Sequence, residues 1–316
     1  MTNSMLQPPP DGSRQIVVVG AGVIGVCCAL YLRRDGHEVT LIDRLSPGEG
    51  CSFGNAGLLA RSSIAPMADS STFAQIPSWL FKTDGPLSIR WSYLPKLAPW
   101  LIRFVQAGLS NTANETSKAL HLLTDPCVDL YRDLAQQAGR SDLVRPSDYL
   151  QIYQSEKAFR HAASDFAMRR KFGFQIDEIN KSDIQALEPA LSSVYNYGYR
   201  IAGHGYTVDP EALVKVLAEM FVKEGGVFKK AEVLRFDVNA NGPDKVVTDL
   251  GILACDTVVL AAGALSKKMA SQLGAKVPLD TERGYHVTAH NPEIEITRPI
   301  MEGDAKFLVT PMAMGI

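Results

Sequence analysis

The stretch QIVVVGAGVIGVCCALYLRRDGHEVTLIDR, residues 15–44, decides the fold that we predict for this chain. Residues 16–19 are a β-branched run without a polar side chain, which is typical of a strand buried on both faces. Gly20, Gly22 and Gly25 follow it in the G-x-G-x-x-G spacing. These glycines permit a tight turn, a close backbone approach to a pyrophosphate and close packing of the helix that follows.

The second half of this stretch completes a βαβ unit. A helix is predicted over residues 23–34, and its first turn would direct free N–H groups towards a phosphate. A second strand over residues 39–42 leads to Asp43, which stands where a carboxylate accepts hydrogen bonds from a ribose diol. The alternative is a βαβ unit without a ligand, and the complete strand, turn, helix and acid pattern disfavours it.

The composition bounds the class of protein. The chain has 316 residues, of which 46% are apolar, enough for two domains with a substantial core. The net charge of −2 gives no support to nucleic-acid binding. Five cysteines without metal-type spacing favour a reduced, cytoplasmic setting. Residues 1–14 resemble a disordered tail and not a signal peptide, and no apolar run is long enough for a membrane span.

The segment CSFGNAGLL, residues 51–59, is small and glycine-rich, so backbone can approach a flat ligand. Ser52 and Asn55 supply polar groups for phosphate or ring oxygens. The alternative is the start of a helix capped by Ser52, and both interpretations can hold together. Cys51 is disfavoured as a redox residue because nothing nearby in sequence lowers a thiol pKa except a helix start.

Residues 72–109 are aromatic and interrupted by proline, and they contain all three tryptophans. We expect short helices separated at Pro86, Pro95 and Pro99. Packing of these helices on the protein is the favoured interpretation of the amphipathic stretch 100–109. The alternative is a peripheral membrane or quinone-docking patch, because Trp and Arg suit a lipid interface.

Further along the chain, several local signals predict elements. Pro126 kinks a helix over residues 116–139 or begins a second one, and Ser182 with Gln185 reads as a capping box. Asp209-Pro210-Glu211 is a helix start. Single strands are predicted over residues 227–238 and 285–289 from their alternating patterns. Residues 195–206 suggest a strand and turn that line a pocket, with a structural hairpin equally favoured.

Residues 257–263, TVVLAAG, supply another apolar strand and a small-residue turn close to where a nucleotide would lie. Elements typical of a dinucleotide domain therefore return late in the chain, with an insertion between them.

Five segments carry a resemblance to a known family: VVVGAGVIGVCCALYLRRDGHEVTLIDR, CSFGNAGLL, GYTVDPEALVKVLAEMFVKEGG, VVLAAGALS and ERGYHVT. They resemble the FAD-dependent D-amino-acid dehydrogenases, within the broader group of D-amino-acid oxidase and glycine oxidase. The resemblance covers residues 15–316. The ERGYH stretch is also expected in relatives that act on D-hydroxyproline-type imino acids.

The resemblance implies an α/β fold, with a Rossmann-like FAD-binding domain and an inserted α+β substrate domain built on an antiparallel sheet. The implied FAD-binding domain comprises residues 15–70 and 205–277. The substrate domain comprises residues 71–204 and 278–316.

FAD is the implied cofactor, with its phosphates on the opening turn and its adenosine ribose on the acid after the second strand. The resemblance assigns contacts with FAD to Val19, Gly20, Ala21, Gly22, Val23, Ile24, Gly25, Asp43, Arg44, Ser52, Asn55, Ala56, Gly57, Leu58, Val233, Ala262 and Gly263. Arg44 departs from the pattern in a way that suits NADP. FAD is favoured because the motif is N-terminal and CSFGNAG follows it.

The implied reaction is oxidation of the Cα–N bond of a D-amino acid or cyclic imino acid by hydride transfer to flavin N5. Electrons would pass to a quinone or other acceptor, and an O₂-using oxidase is the alternative. Tyr285 and His286 are the candidate substrate-pocket residues, with a purely structural role as the alternative; no metal site is expected. Family members continue beyond the position of Ile316, so we expect a fragment, and an inactive nucleotide-binding remnant is a third hypothesis.

Overall fold

A computed structural model of the protein describes residues 12–66, 92, 94–109, 113–240, 242–279, 281 and 283–316. Contacts within the chain divide it into two units. The first unit comprises residues up to 55, 134–143 and 209–286; the second comprises residues 56–133, 144–208 and 287–316. The assignment of a cofactor domain and a substrate domain, with the boundaries expected from sequence, stays a prediction.

The elements follow in chain order. The strands are β1 Gln15–Val19, β2 Glu38–Asp43, β3 Leu58–Leu59, β4 Val144–Tyr153, β5 Ile176–Asn180, β6 Tyr197–Thr207, β7 Val227–Lys230, β8 Val233–Asn239, β9 Gly242–Thr248, β10 Gly251–Ala254, β11 Thr257–Leu260, β12 Ile300–Glu302 and β13 Phe307–Val309. The helices are α1 Val23–Arg34, α2 Leu94–Leu109, α3 Ala113–Thr124, α4 Cys127–Gln137, α5 Glu156–Lys171, α6 Lys181–Leu187, α7 Pro210–Lys223 and α8 Ser266–Gln272. Short 3₁₀ turns cover Ser141–Leu143 and Gly263–Leu265.

The first unit is built on a parallel sheet of four strands in the order β11-β1-β2-β7. Val19 pairs with Ile42 on one side and with Leu260 on the other, so β1 lies in the middle of the sheet. Its residues 16–19 are buried, which confirms the apolar run as a central strand. The carboxyl ends of these strands therefore meet at one edge, where α1 begins.

Helix α7 begins as its sequence predicts. The Asp209 side chain accepts a hydrogen bond from the Ala212 N–H at 2.9 Å, and Pro210 occupies the first helical position. The helix buries one apolar face, which includes Leu213, Leu217, Met220 and Phe221.

A second, antiparallel sheet in the first unit has the order β10-β9-β8. The single strand predicted over residues 227–238 is wrong, because β7 and β8 belong to different sheets. The Ala231 N–H donates to the carbonyl of Asp43, the last residue of β2, in the first sheet. Two residues later, Val233 pairs with Thr248 of β9 in the other sheet. The alternating sequence pattern continues through this break and so conceals it.

The second unit contains a sheet in the order β13-β12-β4-β6-β3, with β5 also paired to β6. Residues 195–206 contribute one long strand, β6, and not a hairpin of their own. Its side chains Tyr199 and Ile201 pack in a core with Tyr153 and Phe166. Strand β4 runs from Val144 to Tyr153 and pairs with β6 along its length.

Four other local predictions have mixed outcomes. Pro126 begins a new helix, because α3 ends at Thr124 and α4 starts at Cys127. The capping box is formed by Asn180 and Asp183, so the assignment to Ser182 and Gln185 is wrong. The Asn180 side chain accepts from the N–H groups of residues 182 and 183, which places the helix start two residues earlier.

The strand predicted over residues 285–289 is also wrong. Ala289 exchanges two backbone hydrogen bonds with Ile316, but within the part of the chain that the structure describes this single pair does not extend into a ladder, which a strand requires. Helix α2 begins at Leu94, so Pro95 lies in its first turn, as expected of a helix boundary there. The helix runs through Pro99, so the expected break at Pro99 is wrong, since proline removes only a single hydrogen bond there. The predictions for residues 1–11, Trp79, Pro86 and Trp91 lie outside the described residues.

Candidate cofactor site

The opening turn of the first unit depends on two glycines. Gly20 has a φ of +110°, a conformation that side chains disfavour, and its N–H donates to the Ile42 carbonyl at 2.7 Å. A Cβ at Gly25 would overlap the carbonyl oxygen of Gly20. The first glycine therefore makes the turn, and the third lets α1 pack directly on it.

The middle glycine faces open space. An added Cβ on Gly22 would meet the Ser52 hydroxyl at 3.4 Å and no other heavy atom of the described residues within 4 Å. Gly22 is the N-cap of α1 but has no side chain with which to cap it. The Val23 N–H instead donates to Ser52 Oγ at 3.0 Å. Ser52 therefore caps α1 from a distant loop; residues 51–55 form no helix, which corrects the helix start considered for them.

Asp43 lies at the same edge of the sheet as this turn. Its Oδ2 accepts from the Ala21 N–H at 2.7 Å, and its Oδ1 accepts from the Leu45 N–H at 2.9 Å. Each carboxylate oxygen keeps further lone pairs for another donor. Arg44 is exposed. The carboxylate is thus held beside the amino end of α1, with capacity for the hydroxyls of a ribose.

The late turn follows β11 at the same edge. The Ala261 N–H donates to the Val19 carbonyl at 2.8 Å, which places Ala262 and Gly263 directly after the strand next to β1. Gly263 has a φ of +53°, and an added Cβ would meet no described atom within 4 Å. Val233 and Ala262 pack on one apolar core of this unit. Their predicted contact with adenosine stays a proposal.

The structure divides the CSFGNAG segment between the two units. Ser52 and Asn55 belong to the first, where Asn55 Nδ2 donates to the Ser52 carbonyl at 2.9 Å. Ala56, Gly57 and Leu58 belong to the second, where Leu58 pairs with Tyr206 of β6. Gly57 has a φ of +61°, and its carbonyl accepts from the Thr207 N–H at 2.8 Å.

The two candidate substrate-pocket residues have different surroundings. The Tyr285 side chain is 90% exposed and contributes to no core in the described residues. His286 is also exposed, but its ring lies against Phe53 and Gly54, in the loop that carries Ser52. Sequence reasoning gave no signal for this contact, because more than 200 residues separate the two segments. Roles for both residues in a substrate pocket stay predictions.

His204, which lies in the stretch 195–206, is part of a buried polar cluster in the second unit. Its side chain is 1% exposed, and its Nε2 lies 2.9 Å from Ser62 Oγ. Burial lowers the pKa of His204 to about 4. The neutral imidazole thus links β6 to the turn after β3.

These residues fit a dinucleotide cofactor. The amino end of α1 is a site of positive potential, and Gly22 leaves its backbone open to an anion. Asp43 supplies acceptors at the edge where parallel strands of such folds meet their ligands. Among the described residues, no group of His, Cys, Asp or Glu is arranged to hold a metal ion.

Comparison with known proteins supplies the family. The family described as DAO, FAD dependent oxidoreductase, matches residues 15–315. The chain belongs to this family of FAD-dependent oxidoreductases. The predicted resemblance, oxidoreductase class and FAD dependence are thereby confirmed.

Two relatives are similar to this FAD-dependent oxidoreductase over most of its length. A D-amino-acid oxidase of Bradyrhizobium diazoefficiens is 37% identical over 303 residues, 95% of this chain and 72% of the relative. A D-amino acid dehydrogenase of Paramagnetospirillum magneticum is 30% identical over 289 residues, 87% of this chain and 66% of the relative. The chain thus spans about two thirds to three quarters of the length of these relatives.

A solved structure supports the fold of this chain. Glycine oxidase from Bacillus cereus matches with a TM-score of 0.63 at 20% identity, over 96% of this chain and 69% of that one. The α/β class, with a Rossmann-like parallel sheet and a separate mainly antiparallel sheet, is confirmed. None of the helices that the structure describes is both long and apolar enough to span a membrane.

Proposed function

We propose that this protein takes part in the FAD-dependent oxidation of D-amino acids at the Cα–N bond. The observation that carries the proposal is the arrangement of Gly22, Ser52 and Asp43 around the amino end of α1. The substrate class is supported by the names of the two relatives at 37% and 30% identity, a D-amino-acid oxidase and a D-amino acid dehydrogenase.

The residues of this chain would bind and orient the cofactor. The first-turn N–H groups of α1 would hold the phosphates, with Gly22 allowing close approach of the backbone. Asp43 would accept hydrogen bonds from the adenosine ribose. FAD, when bound, supplies the acceptor for the substrate Cα hydride, and the protein's task is placement of that carbon.

The bound cofactor would continue along the CSFGNAG segment. Asn55, Ala56, Gly57 and Leu58 are the residues that the family resemblance places along the pyrophosphate and flavin. Positive φ angles at Gly54 and Gly57 suit a backbone that lies close to a flat ligand. Tyr285 and His286 remain the proposed residues of the substrate pocket.

Anaerobic bleaching of the flavin tests the reaction. Protein loaded with FAD is mixed with D-amino acids under nitrogen, and loss of the oxidised flavin absorbance is followed against the matching L-amino acids. Bleaching by D-amino acids supports the proposal. A loaded protein that no D-amino acid bleaches would contradict the substrate class.

The electron acceptor separates two versions of this function. The resemblance to dehydrogenases supports a quinone or other acceptor, whereas the relative with 37% identity is named an oxidase. Oxygen uptake with hydrogen peroxide release during turnover would favour the oxidase. Turnover only in the presence of a quinone analogue would favour the dehydrogenase.

Contact with a membrane surface belongs to the dehydrogenase version. Ile102 and Val105 on α2 are 59% and 39% exposed, and Arg103 is exposed between them. Trp100 stacks on Phe104 at a centroid distance of 5.0 Å. Flotation with anionic vesicles, compared between the wild type and Ile102→Glu, tests whether this helix binds the surface.

A further inference from the structure

The ring of His286 occupies the space beside Gly54. Gly54 has a φ of +70°, and a Cβ built on it would overlap Cε1 of His286. The same Cβ would lie 2.9 Å from Nε2 and 3.0 Å from Nδ1 of that ring. The imidazole therefore packs directly against the glycine backbone, in a place that no larger residue can share.

His286 also meets the residue before this glycine. The rings of Phe53 and His286 are 6.0 Å apart at an interplanar angle of 86°, the edge-to-face arrangement that aromatic pairs favour. Both contacts lie within the first unit. One side chain thus touches two consecutive residues of the short segment 51–55, which we name the serine loop.

The serine loop has little regular structure of its own, since residues 51–55 form only turns and bends. Its position nevertheless matters, because the loop carries Ser52 to the amino end of α1. Asn55 Nδ2 donates a hydrogen bond to the Ser52 carbonyl, which closes the loop into one compact turn. A contact that fixes Phe53 and Gly54 therefore also fixes the Ser52 hydroxyl beside Gly22.

We propose that His286 is a positioning residue whose ring holds the serine loop, and with it Ser52, against the amino end of α1, where the cofactor phosphates bind. The inference rests on the proposed cofactor site for its ligand. It assigns His286 a role through the serine loop, in addition to its proposed place in the substrate pocket. The ring shape carries this role, so another aromatic side chain can supply it.

Three variants test the ring requirement. His286→Ala should weaken FAD binding by about three- to ten-fold, the range that an aromatic contact supports, whereas His286→Phe should stay within about two-fold of the wild type. His161→Ala, an exposed histidine on α5, is the matched control and should leave FAD binding unchanged. Flavin fluorescence during titration gives each dissociation constant.

A double-mutant cycle tests the contact itself. Gly54→Ala strains the backbone in any background, but its methyl group overlaps His286 only when the ring is present. The loss caused by Gly54→Ala should therefore be at least about three-fold smaller in the His286→Ala background. The cycle is measured both by FAD affinity and by thermal unfolding of the flavin-free protein.

The outcomes separate this inference from the proposed function. Coupling in both measurements, with rescue by phenylalanine, supports the positioning role. Equal losses in both backgrounds during unfolding would overturn the contact. Coupling in unfolding with unchanged FAD affinity in His286→Ala would overturn the positioning role. A wild-type protein that takes up no FAD would overturn the proposed function and the positioning role together, whatever the unfolding shows.

Discussion

The Oδ2 atom of Asp43 accepts a hydrogen bond from the backbone N–H of Ala21, at a distance of 2.7 Å. The acid that ends β2 is therefore joined to the turn that ends β1. The bond holds the carboxylate beside the first turn of α1, so the proposed phosphate site and the proposed ribose site lie next to each other.

Replacing the acid should weaken cofactor binding more than it affects folding. Asp43→Ala removes two charge-assisted acceptors, and we expect FAD affinity to fall by about ten- to a hundred-fold. Asp237→Ala breaks a surface ion pair with Arg235, and this control variant should bind FAD normally. Equal affinities for the Asp43 variant and the wild type would contradict the ribose assignment.

The close packing of α1 on the opening turn makes Gly25 indispensable. The Cβ of Gly25→Ala would overlap the backbone oxygen of Gly20, and a backbone atom cannot rotate away. We expect the free energy of unfolding to fall by about 2 kcal/mol or more, measured by urea denaturation. The added methyl group of Gly50→Ala would meet no described atom within 4 Å, so this control variant should lose little unfolding free energy. A stable, normally folded Gly25→Ala protein would show that the helix does not pack as described.

The buried His204 predicts a pH dependence of stability. Its pKa is lowered to about 4 by burial, below the ordinary value of 6.5, so the unfolded chain takes up the proton first as the pH falls. This contribution is fully present above pH 6.5 and is lost between pH 6.5 and pH 4, by about 3 kcal/mol at most.

The control for this pH dependence is His204→Phe. The variant loses the bond to Ser62 but cannot titrate, so its unfolding free energy should vary less between pH 7 and pH 4.5 than that of the wild type. Parallel pH profiles for the two proteins would show that His204 is not the titrating group.

The fully buried Glu188 should be important for stability of the second unit. It accepts hydrogen bonds from Arg298 Nε at 2.7 Å and from the N–H and hydroxyl of Thr297. Glu188→Ala leaves the Arg298 charge unpaired in a largely buried position, which should cost about 3–5 kcal/mol in urea unfolding. Asp142→Ala breaks an exposed pair with Arg140 and should cost less than about 1 kcal/mol. Similar losses for the two variants would contradict this difference.

Signals within one short stretch allowed accurate prediction. The glycine spacing and Asp43 located the βαβ unit, and Asp209 with Pro210 located the start of α7, because a cap or tight turn depends on neighbouring residues. The capping box was misplaced by two residues because Asn180 and Ser182 are both good capping residues.

Structural features that depend on residues far apart in sequence could not be predicted. The break between β7 and β8 follows from pairing with β2 and β9, which the alternating pattern does not encode. The absence of a strand over residues 285–289 has the same cause. The Ser52–Val23 bond and the contact of His286 with Gly54 join residues far apart in sequence, so only the folded chain shows them.

Equilibrium titration of the folded wild-type protein with FAD shows whether the amino end of α1 is a cofactor site. We expect saturable binding of one FAD per chain, seen as quenching of flavin fluorescence, with marked weakening in Asp43→Ala. A folded protein that shows no saturable uptake of FAD would contradict the assignment of this site.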